Sequence, residues 1–217
     1  MTNVALDIAL VLALVLGVAS LGTSRLGAAI RYFSMQAACV AMVPLLIETR
    51  SGELSVHAWI LFVATMVLKV SGVPYFLNRS LREASVRTEI EPLIGFGTTL
   101  AIGAGLVALS FGLARQLPLP QKPASDLLIP IAFSLLMIGL LLIVSRTKAV
   151  TQVVGYLIME NGIFLFGLIL IDVFPYLIEI GVLLDLFVAV FVMGIVIFHI
   201  NRAFDHIDSH QLDSLKD

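Results

Sequence analysis

VTQVVGYLIMENGIFLFGLILIDV, residues 150–173, decides the fold. A hydrocarbon core about 30 Å thick takes about 20 helical residues, so this run is long enough to cross a bilayer as one helix. It nevertheless carries Glu160 close to its middle. Hydrocarbon does not solvate charge; a central ionisable side chain costs roughly 2.5 to 3.5 kcal/mol on insertion scales and therefore faces protein or water, or carries a proton. The next apolar run, Tyr176 to Ile200, holds Asp185 in the same way, and the run His57 to Leu77 holds Lys69, a buried ionisable group of opposite sign. Three such residues on three segments point to a polar path through an apolar bundle.

Working outward, the chain has 217 residues, 59% hydrophobic and 13% charged, where a soluble domain averages about 25% charged. That composition predicts an all-α polytopic membrane bundle with no soluble domain. Seven segments emerge: Val4 to Leu21, Leu26 to Ile47, His57 to Leu77, Leu93 to Leu113, Leu127 to Val144, Val150 to Val173 and Tyr176 to Ile200. The second contains Arg31, Gln36 and Pro44 and reads as tilted or sheltered among neighbours. The first lacks a basic n-region and contains Asp7, so it reads as a retained span and not a cleaved leader. Residues 1–113 form the N-terminal helices and 127–217 a three-helix part with a tail, all in one integral membrane domain. No internal repeat is visible.

Orientation follows from the basic residues in alternate connections. One set holds Arg25, Arg31, Arg79, Arg82, Arg87, Arg146, Lys148, Arg202 and Lys216; the other holds Arg50, Arg115 and Lys122. The positive-inside rule places the richer set in the cytoplasm, hence the N-terminus outside and the C-terminus inside.

Around Glu160, the neighbours Asn161, Gly155 and Gly162 offer a hydrogen-bond partner and close helix approach. A carboxyl buried without a cation favours its neutral form, which brings it toward proton exchange at neutral pH. The plainer reading is a protonated Glu160 that pins two helices. Asp185 has Gly181 and Ala189 one turn away on a narrow face, and Glu179 reads as interfacial. Lys69 precedes Pro74, which cannot donate to the carbonyl of Val70, and Gly72 loosens the same turn, so free backbone oxygen is expected beside the ammonium. Lys69 either takes part in the polar path or pairs with an acid, Asp185, Glu160 or one on a partner chain.

Other constellations carry less. His206 and His210, flanked by Asp205 and Asp208, have metal-ligand spacing but no third ligand, and read as a solvated tail. Arg79, Arg82 and Arg87 alternate with Glu83, Glu89 and Glu91 as in a solvated or partner-contacting loop. One cysteine, Cys39, excludes an intrachain disulfide and an iron–sulfur cluster, and no Walker-type glycine loop is present. No cofactor, metal site or nucleic-acid partner is expected in this chain; the lipid bilayer is its solvent.

Gly155-Tyr-Leu-Ile-Met-Glu160-Asn161 resembles the Gly-x-Glu-x-Met-x-Asn signature of the K subunit of respiratory complex I and the C subunit of Mrp antiporters. The family acid falls at the position of Leu157, one turn before Glu160, and Asp185 stands where that family has its second membrane Glu. Over its whole length, on the tail from Ile200 to Lys216 and the Leu-Lys-Val-x-x-x-Pro stretch at Lys69, the chain is similar to component E of hydrogenase-4 and formate hydrogenlyases. The resemblance implies a non-catalytic subunit of a [NiFe] hydrogenase complex in a prokaryotic inner membrane, beside antiporter-like and hydrogenase-module subunits. Lys69, Glu160 and Asp185 would then be proton-transfer groups in its membrane arm. A subunit of a multisubunit cation/proton antiporter and a non-conducting assembly scaffold are the alternatives.

Overall fold

The long apolar runs form helices because lipid cannot hydrogen-bond a backbone, and a helix satisfies its own. The computed structural model describes residues 4–51, 56–83, 93–117, 123–170 and 194. In order these give α1 (Val4–Gly22), α2 (Leu26–Ser51), α3 (Val56–Thr65), a π-helical stretch (Met66–Gly72), α4 (Val73–Glu83), α5 (Phe96–Ala114), α6 (Leu128–Ser145) and α7 (Ala149–Ile169). The described residues contain no β-strand. Five helices, α1, α2, α5, α6 and α7, are long and apolar enough to cross a membrane. The run expected to form the third span, His57 to Leu77, folds as α3, the π stretch and α4 in direct succession. The expected seventh, Tyr176 to Ile200, lies outside the described residues except for Gly194.

α6 is the central helix, with 61% of its best span buried, against 17% for the peripheral α5. It packs most extensively on α7, and the cause is glycine. A Cβ on Gly155 would stand 3.0 Å from the carbonyl oxygen of Gly139, and one on Gly162 would stand 2.6 Å from the carbonyl of Ala132. Neither position tolerates a side chain, so the two backbones touch. One apolar cluster gathers Leu21, Leu26, Phe33, Ile138, Leu157 and Ile158. A second gathers Leu6, Leu10, Val43, Ile131, Leu135 and Leu165. Both draw on α1, α2, α6 and α7, and the polar site lies within this four-helix core.

Hydrogen bonds fix which connections share an end of the bundle. Arg146 Nη2 donates to the carbonyl of Leu21 at 2.6 Å, and Leu93 N donates to the carbonyl of Ser145 at 3.0 Å. The α1–α2 turn, the α6–α7 turn and the approach to α5 therefore meet at one end. At the other, Ser125 Oγ donates to Asp7 Oδ1 at 2.5 Å, joining the start of α1 to the start of α6.

Candidate functional site, a buried ion pair on a π-helical turn

Pro74 shapes the helix that carries Lys69. Lacking an N–H, it cannot bond the Val70 carbonyl four residues back. The N–H of Val73 reaches the carbonyl of Leu68, five residues earlier, which is the π pattern. The carbonyl that Pro74 leaves free is taken up by α2, where Ser34 Oγ donates to Val70 O at 2.9 Å. The sequence argument anticipated exposed backbone oxygen beside the ammonium; the structure instead satisfies that oxygen from a neighbouring helix. An unsatisfied buried carbonyl costs of order 1–3 kcal/mol, which explains why a hydroxyl stands there.

The widened turn sets Lys69 inward, 3% exposed. Its Nζ lies 3.3 Å from Glu160 Oε1 on α7 and donates to Asn161 Oδ1 at 3.3 Å. The Phe164 ring, one turn further along α7, has its centroid 5.9 Å from the same nitrogen. Asn161 Nδ2 donates to Gln36 Oε1 on α2 at 3.4 Å, and Gln36 Nε2 donates to the Ala13 carbonyl of α1 at 3.1 Å. Glu160, Asn161 and Gln36 are all buried. The outcome is one polar chain across four helical elements, closed at one side by a main-chain carbonyl and at the other by an ion pair.

Lys69 thus meets Glu160 and Asn161, with Pro74 shaping the turn and Gly155 and Gly162 holding α7 against α6. Asp185 and Gly181 lie outside the described residues. Leu157, at the position of the acid in the K-subunit signature, packs in the apolar cluster and faces no cation; the ion pair belongs to Glu160. Gln36 and Ser34 were not singled out from sequence as site residues, although a buried-length apolar run containing Gln36 was the available signal.

Arg146, counted in the sequence only among the basic residues of the connections, is buried at the α6–α7 turn. It is 1% exposed, with its guanidinium 4.7 Å from the Phe96 ring centroid and its carbonyl accepting from Gln152 Nε2 at 2.9 Å. Burial pulls its pKa below the ordinary arginine value, yet an arginine stays charged in proteins. It ties α1, α5, α6 and α7 at one end of the bundle.

No family model and no solved structure matches the chain. It is 31% identical over 193 residues to the uncharacterized protein Rv0085 of Mycobacterium tuberculosis, covering 88% of this chain and 87% of that one. It is 29% identical over 153 residues to hydrogenase-4 component E of Escherichia coli K12, covering 70% and 71%, and the same figures hold for hydrogenase-4 component E of Shigella flexneri. On identity across most of both sequences the chain belongs to one family with the mycobacterial protein, and it is homologous to hydrogenase-4 component E.

Proposed function

We propose that the chain is a non-catalytic integral subunit of a [NiFe] hydrogenase or formate hydrogenlyase-type complex, and that Lys69 and Glu160 carry a step of proton translocation in its membrane arm. The observation behind this reading is the ion pair buried within the four-helix core, 3.3 Å between Lys69 Nζ and Glu160 Oε1. In a low-dielectric interior the pair is close to neutral as a unit. A proton arriving at Glu160 leaves the Lys69 ammonium uncompensated, a state that is strongly unfavourable. The cation then sheds its proton or draws in a new negative group, so protonation at one member drives a change at the other. Asp185 is the next acid of the path in this reading, and antiporter-like subunits are the neighbours that continue it. The assignment extends to residues 127–217 the sequence resemblance of Gly155–Asn161 to the signature of the complex I K subunit and the Mrp C subunit. The complex sits in a prokaryotic inner membrane, N-terminus outside.

The test is proton pumping in vesicles, at matched complex levels and normalised to electron-transfer rate. Glu160→Gln keeps volume and hydrogen-bonding capacity but cannot exchange a proton. Pumping is expected to fall by about tenfold or more, within the range of a lost acid–base group. The Lys69–Glu160–Asn161 network would equally suit a helix clamp. Wild-type pumping by both Glu160→Gln and Asp185→Asn establishes that scaffold reading in place of the relay.

A further inference from the structure

We propose that Gln36 is a positioning residue for the Lys69–Glu160 pair: anchored on the Ala13 carbonyl, it fixes the amide of Asn161 so that an oxygen faces Lys69, and so holds the pair in its charged form.

A primary amide has two ends, one donating and one accepting, and nothing in its shape decides which points where. The Ala13 carbonyl can only accept. Gln36 therefore turns its Nε2 toward α1, as the 3.1 Å bond records, and its Oε1 is left facing Asn161. That oxygen can only accept, so Asn161 gives it Nδ2 and keeps Oδ1 for Lys69. Donation runs in one direction, from Lys69 through Asn161 and Gln36 to the backbone of α1. An ammonium can only donate, so it pairs with this orientation alone. A neutral amine, which can also accept, would be served as well by the NH2 face of Asn161, and with Gln36 absent no described residue opposes that rotation. Gly17, one turn beyond Ala13, makes room for the anchor: a Cβ there would lie 2.9 Å from Gln36 Nε2.

Among the described residues, the titratable groups on the elements packed around Lys69 are these. From α7 it faces Glu160, with Tyr156 one turn before. α2 carries Tyr32 and Cys39, half-buried, one turn either side of Gln36, and its Arg31 is exposed. α4 exposes Tyr75 and Arg79. α3 has His57, more than three turns before Lys69. Among the described residues the acid in contact with Lys69 is Glu160, and the amide dipoles beside the pair come from Asn161 and Gln36.

The proposal concerns the pair on which the proton step rests, but it is read without pumping, so either can fail alone. The experiment is infrared titration of the intact purified complex, taking the protonated-carboxyl band of Glu160 as the difference from a Glu160→Gln sample. In Gln36→Met, which keeps length and loses the amide, the band is expected to grow in at a pH higher by about one unit or more, the size of effect that hydrogen bonds to a charged form produce. In an Asn161→Leu background, adding Gln36→Met is expected to shift it little further, because Gln36 acts through Asn161. If Gln36→Met does not assemble, Gln36→Asn carries the test: one methylene shorter, it cannot hold Ala13 and Asn161 together, and the same upward shift is expected. A Glu160 band that titrates as in wild type in the assembled variant overturns the assignment.

Discussion

Lys69 and Glu160 are each costly alone and tolerable together, and that asymmetry is measurable. Removing one member of a buried pair leaves an uncompensated charge, at about 3–5 kcal/mol. Lys69→Met is expected to lower the thermal stability of the purified complex more than Lys69→Met combined with Glu160→Gln, because the double variant leaves no uncompensated charge at the pair. Equal melting temperatures for the single and double variants contradict an energetically coupled pair. Arg146 obeys different rules, since it is paired with a carbonyl and a ring and not with an acid. Its charge-assisted bond to Leu21 O is worth about 1.5–3 kcal/mol and its position beside Phe96 about 0.5–2 kcal/mol. Arg146→Ala is expected to destabilise the complex by an amount in the upper part of the 0.5–3 kcal/mol range for single substitutions, while Arg115→Ala, at an exposed turn, changes it by less than about 0.5 kcal/mol. Differential scanning of both variants checks the contrast.

At the scale of the helix, glycine decides which surfaces are close. Gly155 meets Leu142 Cβ at 2.8 Å from its would-be Cβ, whereas Gly105 on α5 has open space around it. Gly155→Leu is expected to part α6 from α7 and abolish recovery of assembled complex, since overpacking alone costs about 1–3 kcal/mol and here no flexible side chain can yield. Gly105→Leu is expected to be recovered at wild-type yield; equal yields for the two variants sink the close-approach argument. The helices themselves were legible in the sequence, because length and hydropathy are local properties. So were Glu160 and Lys69, as charge inside an apolar run stands out without any knowledge of neighbours. Their contact was not legible, since a residue 91 positions away is brought near only by the order in which helices pack. The π turn at Pro74 was half legible: a missing N–H is written in the sequence, but Ser34, which answers it, is identified only once α2 lies alongside. The burial of Arg146 was not legible, because it adjoins Thr147 and Lys148 at a helix break, where the text of a loop and of a buried corner are the same.

For the molecule as a whole, the question is which end faces the cytoplasm. The bonds from Arg146 to Leu21 and from Leu93 to Ser145 gather the turns bearing Arg25, Arg146 and Lys148 at one end. The bond between Ser125 and Asp7 marks the opposite end, toward which α5 runs to Arg115. Cations are retained on the cytoplasmic side during insertion, and short connections make the bias effective. On that rule the first end is predicted to face the cytoplasm. Burial of Arg146 does not weaken the argument, because the rule acts on the chain as it inserts, before packing shelters the side chain. In a Cys39→Ser background, Gln116→Cys and Thr147→Cys place single thiols at two exposed positions, one at each end. With a membrane-impermeant maleimide on right-side-out vesicles of the intact complex, Gln116→Cys is expected to label directly and Thr147→Cys only after permeabilisation. The reverse pattern inverts the orientation, and labelling of both from the same side breaks the arrangement of the bundle ends, since the two positions are separated by the single span of α6.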